Sequence, residues 1–524
     1  MSDSSGPSAA PPSPRAARAE AWLAYCAAAI VWGRGLAHQC MNPDVFWHFS
    51  SARHAVETRG IPRADWMSST RAGAPWAGME WLTELGWYLL YGRMGFFGLW
   101  LLKNLYLVAV ALGLHAVLKL QGAPPAWRGV ALALLGAAAL QIADLRADLS
   151  SFVAVALTLL YLERRRLGLR TPPAAVAAPV FALWASLHAG FLYGLALLGA
   201  ATVEALLPVE RLREDPPQGR SSPRALVVAL ASAFVGSLLF PDPIGQYVAS
   251  FKVRDELALV SRYIVEWTPL DLTEPLMWPA VAAIGAFFAA AVLRVLAREP
   301  IAAGSFLVAA FFARNALAHQ RFAFFAAMLT VPLTLRWLRR RLDAAPVGAA
   351  SVAAGALAVW GIFLAPSHAM GVGWDTSQMP VRAADWLWAQ RGTLGSRVLF
   401  NDWEHGGYLG WRLHPPYRVF VDGRYLFHAF LPRLEAAFRS PERFAALVNE
   451  HHVDVLVVPE RPVVPVQLRG PGGGRTVHMP YWALFAPVTQ WARVHADPIA
   501  VVFVRRSEFD PSWIAAHEIP WRRR

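Results

Sequence analysis

Eleven runs of predominantly apolar residues punctuate the chain, at 21–38, 96–118, 129–143, 149–162, 174–188, 190–207, 223–240, 277–295, 302–316, 319–336 and 347–365. A helix crossing a bilayer needs about 20 such residues, so the pattern predicts a polytopic α-helical membrane domain of about eleven spans. Residues 1–19, rich in Ser, Pro and Ala with Arg15 and Arg18, predict a disordered tail. No cleavage pattern follows the first apolar run, which is expected to remain as an anchor. Beyond about residue 366 the periodicity changes. Short β-rich runs at 397–401, 418–422 and 453–459, and a strand pair within 491–505, alternate with helical stretches at 383–390 and 431–449. The expected fold is mainly α: a membrane domain over 20–365 with an outer loop at 40–95, then a soluble α/β domain over 366–524. The Pro- and Gly-rich stretch 461–475 is expected to be a loop.

Composition agrees. The chain is 56% hydrophobic and 16% charged, against roughly 25% charged for soluble domains. Its 49 basic and 36 acidic side chains leave +13, and all but Lys103, Lys119 and Lys252 of the basic ones are arginine. A basic chain suggests nucleic acid, but these arginines sit between apolar runs, not on one soluble patch, so no nucleic-acid partner is expected. They orient the spans instead. Placing 119–128, 164–170, 211–224, 294–298 and 336–341 in the cytoplasm puts the N-terminus there too. It leaves 40–95, 144–148, 188–190, 241–276, 314–319 and the C-terminal domain outside. The scheme needs residues 81–91 to lie along the interface, which Trp81, Trp87, Tyr88 and Tyr91 suit. Cys26 and Cys40 define neither a disulfide framework nor a metal site.

The outer connections then collect the unusual polar residues: Asp44, His48, Asp65, Glu80 and Glu84; Asp144, Arg146 and Asp148; His188; Glu266; and Arg314, His319 and Arg321. Any one of them is explained by loop polarity. Carboxylates and arginines arriving from separate loops at the ends of membrane helices point to a shared outer-face site.

The first outer loop, Asn42-Pro-Asp-Val-Phe-Trp-His48, then Gly60-Ile-Pro-Arg-Ala-Asp65 and Pro75-Trp-Ala-Gly-Met-Glu-Trp81, resembles that of the GT-C glycosyltransferases, polytopic enzymes using polyprenyl-linked sugar donors. The resemblance is to the protein O-mannosyltransferase and oligosaccharyltransferase catalytic-subunit branches. It implies that Asp44 is the catalytic base or metal-ligating acid and Glu80 the second acid, with His48 beside them; the Lys-Pro-Pro that usually accompanies that Glu is absent here. Arg146-Ala-Asp-Leu-Ser150 is similar to an Arg-containing stretch ending in Asp-x-Asp, with Asp148 as the first acid and Ser150 replacing the second. Tyr263-Ile-Val-Glu-Trp-Thr-Pro269 is similar to a Ser-Val-Ser-Glu motif, which puts Glu266 at its functional acid. Trp403, Glu404, His405 and Gly406 fall in register with the Trp-Asp-Tyr-Gly of an acceptor-reading motif, His405 standing for Tyr. The layout also resembles a group of bacterial polytopic proteins sharing Asp-x-x-Trp-His and Gly-Gly-Tyr…Asp-Gly-Arg, implying a bacterial inner membrane.

The resemblance implies an integral membrane glycosyltransferase acting at the extracytoplasmic face, with the lipid bilayer and a polyprenyl-linked donor as partners. Stabilising the phosphate leaving group calls for arginine or metal. Arg146, Arg314 and Arg321, helped by His319, are the phosphate-binding candidates, with headgroup snorkelling the competing explanation. Glu266, Trp403, Glu404 and His405 are the acceptor-binding candidates. Asp44 either deprotonates an acceptor hydroxyl or orients an acceptor nitrogen. Asp44, Asp148 and Glu266 are candidate ligands for Mg or Mn, and a metal-free mechanism using arginine alone stays open. A non-catalytic assembly protein or a lipid-linked glycan transporter of the envelope are the alternatives. Asp422-Gly-Arg424 is expected to be a strand-ending turn with Arg424 pairing Asp422, and Gly406-Gly407 a tight turn packing Trp403 and Trp411. His188 is either an interhelical hydrogen-bonding residue or a site residue.

Overall fold

Ser13 accepts a hydrogen bond from the Ala16 N–H and Pro14 occupies the first helical position, so a helix begins well before the apolar run. Residues 14–19 are thus the start of α1 (Pro14–Ala37) and not a disordered tail. This computed structural model describes residues 13–208, 212, 222–365, 369–470 and 473–520. The tail expected over 1–12 and most of the 211–224 connection lie outside the described residues. Helices continue as α2 (Asp44–Thr58), α3 (Trp81–Leu120), α4 (Pro125–Ala139), α5 (Leu149–Arg166), α6 (Ala177–Leu187), α7 (Phe191–Leu206), α8 (Pro223–Ser237), α9 (Pro243–Tyr263), α10 (Trp278–Leu296), α11 (Ala303–Ala318), α12 (Ala323–Asp343) and α13 (Ala349–Val359).

Each apolar run coincides with a helical element. Four helical segments, Trp81–Leu120, Pro125–Ile142, Pro275–Leu296 and Gln320–Asp343, are long and apolar enough to cross a membrane, and five more are apolar but 10–17 residues long. Two helices stand where loops were expected. The first, α2, is buried on most of its circumference, and the second, α9, fills much of the 241–276 connection.

The chain divides into two compact units, Met1–Cys40 with Arg93–Gly373, and Met41–Gly92 with Trp374–Arg524. The outer loop at 40–95 is therefore mostly part of the C-terminal unit. In the first unit small residues let helix backbones approach. A Cβ on Gly129 of α4 would come within 2.7 Å of the Ala24 Cβ on α1, and the Trp32 indole donates to the Leu132 carbonyl at 2.9 Å. At its other end α1 is tied by Lys103, fully buried, whose ammonium donates to the Gly35 and His38 carbonyls at 3.2 and 2.6 Å. That is where a cation complements the negative end of a helix.

The second unit adds α14 (Val381–Ala389), α15 (Arg391–Leu394), α16 (Trp403–Leu413), α17 (Leu431–Phe438), α18 (Pro441–Glu450), α19 (Trp482–Phe485) and α20 (Pro511–His517). Its strands are β1 (Leu399–Asn401), β2 (Val455–Pro459), β3 (Val463–Gly470), β4 (Gly473–Pro480), β5 (Trp491–Ala496) and β6 (Ala500–Arg505). A four-stranded sheet runs in the order β1-β2-β6-β5, with β1 parallel to β2 and the other pairs antiparallel. Val455, Leu456, Val457 and Val458 are all buried, as a continuous apolar run in a central strand requires.

Two expectations fail here. The 461–475 stretch is not a loop: it contributes to the β3–β4 hairpin. The 418–422 run is extended but makes only an isolated bridge, from Val419 to Ser68. The Asn401 side chain takes the place of a neighbouring strand, accepting from the Phe420 N–H and donating to the Val421 carbonyl, both at 2.7 Å.

Candidate functional site

In the first unit, residues from three connections between helices meet. Arg146 and Asp148 precede α5, Glu266 lies in a short 3-10 turn, Val265–Trp267, and Arg321 lies in another, Gln320–Phe322, just before α12. One Glu266 carboxylate oxygen accepts from Arg146 Nη2 at 2.5 Å and the other from Arg321 Nη1 at 2.6 Å. Asp148 Oδ2 lies 3.6 Å from Arg146 Nε, and its buried Oδ1 has no hydrogen-bond partner. Arg321 also stacks over the Trp267 ring, 5.0 Å from its centroid.

Backbone and amide bonds aim these groups. Gln320 donates from its side chain to the Val265 carbonyl at 2.6 Å and to Thr268 Oγ1 at 2.8 Å, and from its N–H to the Thr268 carbonyl at 3.0 Å. His319 Nδ1 donates to the Trp267 carbonyl at 2.7 Å. His319 is thus a buttress of the Glu266 turn. Gln320 and Trp267, absent from the sequence-derived candidates, do the same work; the only hint was their position beside His319 and Glu266.

Partial burial alone would push the Glu266 carboxyl upward. The charges and hydrogen bonds of Arg146 and Arg321 outweigh it and hold the group down at about 2. Arg314, on α11, is exposed and enters no ion pair among the described residues. His188 settles as an interhelical hydrogen-bonding residue: its Nδ1 lies 2.8 Å from Ser151 Oγ on α5 and accepts from the Gly190 N–H at 3.0 Å.

In the second unit, Asp44 opens α2 after Pro43, where an acid complements the positive helix end. Its N–H donates to Asn42 Oδ1 at 3.1 Å. Its carboxylate lies so close to Gly423 that a Cβ there would sit 2.2 Å from Asp44 Oδ1 and 3.5 Å from the Trp47 indole nitrogen. Gly406 and Gly407 do not form a tight turn; they belong to α16. A Cβ on Gly406 would meet the Val421 carbonyl at 1.9 Å, and one on Gly407 the Pro43 carbonyl at 3.1 Å. These glycines let α16 lie directly against the extended 420–423 segment and the start of α2.

Arg424 does pair Asp422, and Asp65 as well, each at 2.7 Å, with all three side chains buried. One turn beyond Asp44, His48 is buried between two acids of the α3 entry, 3.2 Å from Glu84 and 3.6 Å from Glu80. The other Glu84 oxygen accepts from Ser51 Oγ at 2.6 Å. Burial would lower the His48 imidazole, but the Glu84 hydrogen bond and the charges of Glu80, Glu84 and Asp44 prevail and raise it above its ordinary value. In α16, Trp403 stacks with His428 and His405 lies 3.0 Å from Asp402. Burial opposes its charge, yet the Asp402 contact raises the His405 imidazole overall. Glu404 is exposed at the residue level, while its carboxyl is raised by partial burial and then by the Asp402 and Asp44 charges.

No three His, Cys, Asp or Glu side chains among the described residues gather as metal ligands. Both Glu266 oxygens are already bonded to guanidinium groups.

No family model matches this chain, and no curated protein matches it by sequence. Solved structures do match its fold. The archaeal oligosaccharyltransferase AglB from Archaeoglobus fulgidus, in complex with an inhibitory peptide and a dolichol-phosphate, superimposes with a TM-score of 0.56 at 12% identity, over 95% of this chain and 80% of that one. An Archaeoglobus fulgidus oligosaccharyltransferase tethered to an acceptor peptide containing the NVT sequon gives 0.52 at 10% identity, over 96% and 81%. The chain thus shares the fold of these oligosaccharyltransferases.

Proposed function

We propose that this protein is an integral membrane glycosyltransferase that moves a sugar or glycan from a polyprenyl-phosphate-linked donor to an acceptor at the extracytoplasmic face. The observation that carries the reading is the fold shared over 95% of the chain with a protein whose structure holds dolichol-phosphate. The Arg146–Glu266–Arg321 cluster supplies a chemical reason in its support. Two guanidinium groups each give one N–H to a different oxygen of a single carboxylate, the arrangement by which they would hold two oxygens of a phosphate.

In this reading Glu266 is the resting counter-ion that the donor phosphate replaces. As the anomeric carbon–oxygen bond breaks, its electron pair passes to the phosphate oxygen. Arg146 and Arg321 stabilise the growing charge with donors already fixed in place by Gln320, His319 and Trp267. The acceptor oxygen or nitrogen bonds to the anomeric carbon; Asp44 is assigned to the acceptor, taking the proton of a hydroxyl or holding a nitrogen. The missing side chain of Gly423 leaves the room that the Asp44 carboxylate occupies.

The test is Asp44→Asn in proteoliposomes supplied with a radiolabelled polyprenyl-phosphate hexose. Donor consumption should fall at least about 100-fold, the low end for loss of a general base, with membrane insertion and thermal midpoint unchanged. Wild-type turnover in the variant would overturn the assignment.

A further inference from the structure

At the opposite ends of α5, α7 and α12 from the Glu266 cluster, the first unit contains a cavity of about 130 Å³, also lined from α3, α8 and α11. Its body is apolar, with Leu159, Leu197, Val308 and Leu333 in the wall. Its polar rim carries Arg165, Arg166 and Arg336 against Glu163 and Glu204, three positive charges to two negative, leaving one positive charge over.

Glu163 is committed to two of those arginines, at 2.5 Å from Arg166 Nη2 and 3.3 Å from Arg336 Nη1. Arg165 is held differently. Its Nη1 donates to Thr171 Oγ1 at 3.2 Å, and its Nε–H is buried without a hydrogen-bond partner. A buried donor left unpaired is costly, so an acceptor oxygen entering the rim gains what the resting protein lacks. The space limits what enters. Pockets for drug-sized molecules run to about 300–1,000 Å³, whereas this one holds only a group of phosphate-ester size. Anything longer must leave its tail outside. Val203 and Leu206 of α7, Val227 of α8 and Leu307 of α11 are exposed apolar side chains on the helices that form the wall, and supply that surface.

We propose that this cavity binds the head group of an anionic glycerophospholipid. The singly charged phosphodiester sits at Arg165, and an acyl chain lies along the apolar flanks of α7, α8 and α11. The surplus charge matches one phosphodiester, while a zwitterionic head group would bring a cation to a rim that is already positive. Basic pockets between membrane helices hold anionic lipid heads by this chemistry. The site is separate from the donor phosphate site and serves a bilayer lipid.

The test uses the full-length protein in mild detergent, with phosphatidylglycerol, phosphatidylcholine or soluble glycerol 3-phosphate as probe. Bound lipid is read by native mass spectrometry and the effect on the protein by thermal midpoint. Phosphatidylglycerol should be retained at least about tenfold more tightly than phosphatidylcholine, the 1.4 kcal/mol step, and should raise the midpoint. Glycerol 3-phosphate should do neither. Arg165→Gln should abolish the preference and Arg165→Lys should keep part of it. Ala201→Leu, which fills the cavity without changing charge, should exclude the lipid while the lipid-free midpoint stays near wild type. Equal retention of both lipids, or unaltered phosphatidylglycerol binding in the Gln and Leu variants, would overturn the proposal. Glycerol 3-phosphate binding as well as the lipid would also overturn it, as a site for soluble phosphate esters.

Discussion

Glu266 carries a consequence that follows from its two bonds to arginine. With both oxygens bonded to arginine, it neutralises the groups that the proposed donor phosphate needs. Glu266→Gln keeps the size and removes the charge, so Arg146 and Arg321 should bind farnesyl phosphate, a short lipid phosphate, roughly tenfold more tightly. Isothermal titration checks this, and weaker binding would contradict the counter-ion role. His48 makes a different prediction, in pH. Its imidazole is raised in the folded protein by Glu84, Glu80 and Asp44, against an unfolded value of about 6.5. The stabilisation is therefore complete below about pH 6.5 and disappears as the pH rises through the folded value. Thermal midpoints measured from about pH 6 to about pH 9 should fall in the wild type relative to His48→Gln. A parallel pair of curves would show that His48 stays in one charge state. At this scale the candidates Asp44, His48, Glu80, Arg146, Asp148, Glu266 and Arg321 were legible as unusual polar residues in the sequence. Their partners were not. Nothing local distinguishes Arg321, which reaches Glu266, from Arg314, seven residues earlier, which does not.

The elements of the second unit depend on close approach, and the glycines show where. At Gly406 the atoms a Cβ would meet are backbone, the Val421 carbonyl at 1.9 Å and the Asp422 Cα at 2.8 Å, so neither can swing aside. Gly406→Ala should cost about 1–3 kcal/mol, the range for overpacking a tight site. Gly407→Ala, at 3.1 Å from the Pro43 carbonyl, should cost less. Thermal unfolding of the two variants gives the order directly, and the reverse order would mean that α16 is held elsewhere. Gly-Gly usually signals a turn in sequence, yet here it marks a helix face with no room for side chains. The failed strand at 418–422 has a related cause. Alternation made it look like a strand, but the Asn401 side chain satisfies its backbone.

For the whole molecule, arginine distribution and helix ends tell one story. Arg146, Asp148, Glu266 and Arg321 cluster at one set of helix ends, and Glu163, Arg166 and Arg336 at the other ends of α5 and α12. Spans that alternate in direction would produce this separation. With Cys26 and Cys40 replaced, a cysteine introduced at Glu274 should react with a membrane-impermeant maleimide from outside intact cells. One at Arg340 should react only after permeabilisation. The opposite labelling would invert the topology and remove the extracytoplasmic assignment.

The amino-acid sequence by itself determined the apolar runs, the change to a sheet-bearing C-terminal region, the arginine asymmetry and which polar residues were out of place. All of these are local: a run of apolar residues, a period or a charge is written in adjacent positions. Only the tertiary structure decided that the first outer loop belongs to the C-terminal unit and that α2 is one of its buried helices. It alone paired Arg146 with Glu266 across 120 positions of chain, and Asp65 with Arg424 across more than 350. Such pairs follow from how whole helices pack, and packing is fixed by the combined shape and polarity of surfaces that no short stretch of sequence contains.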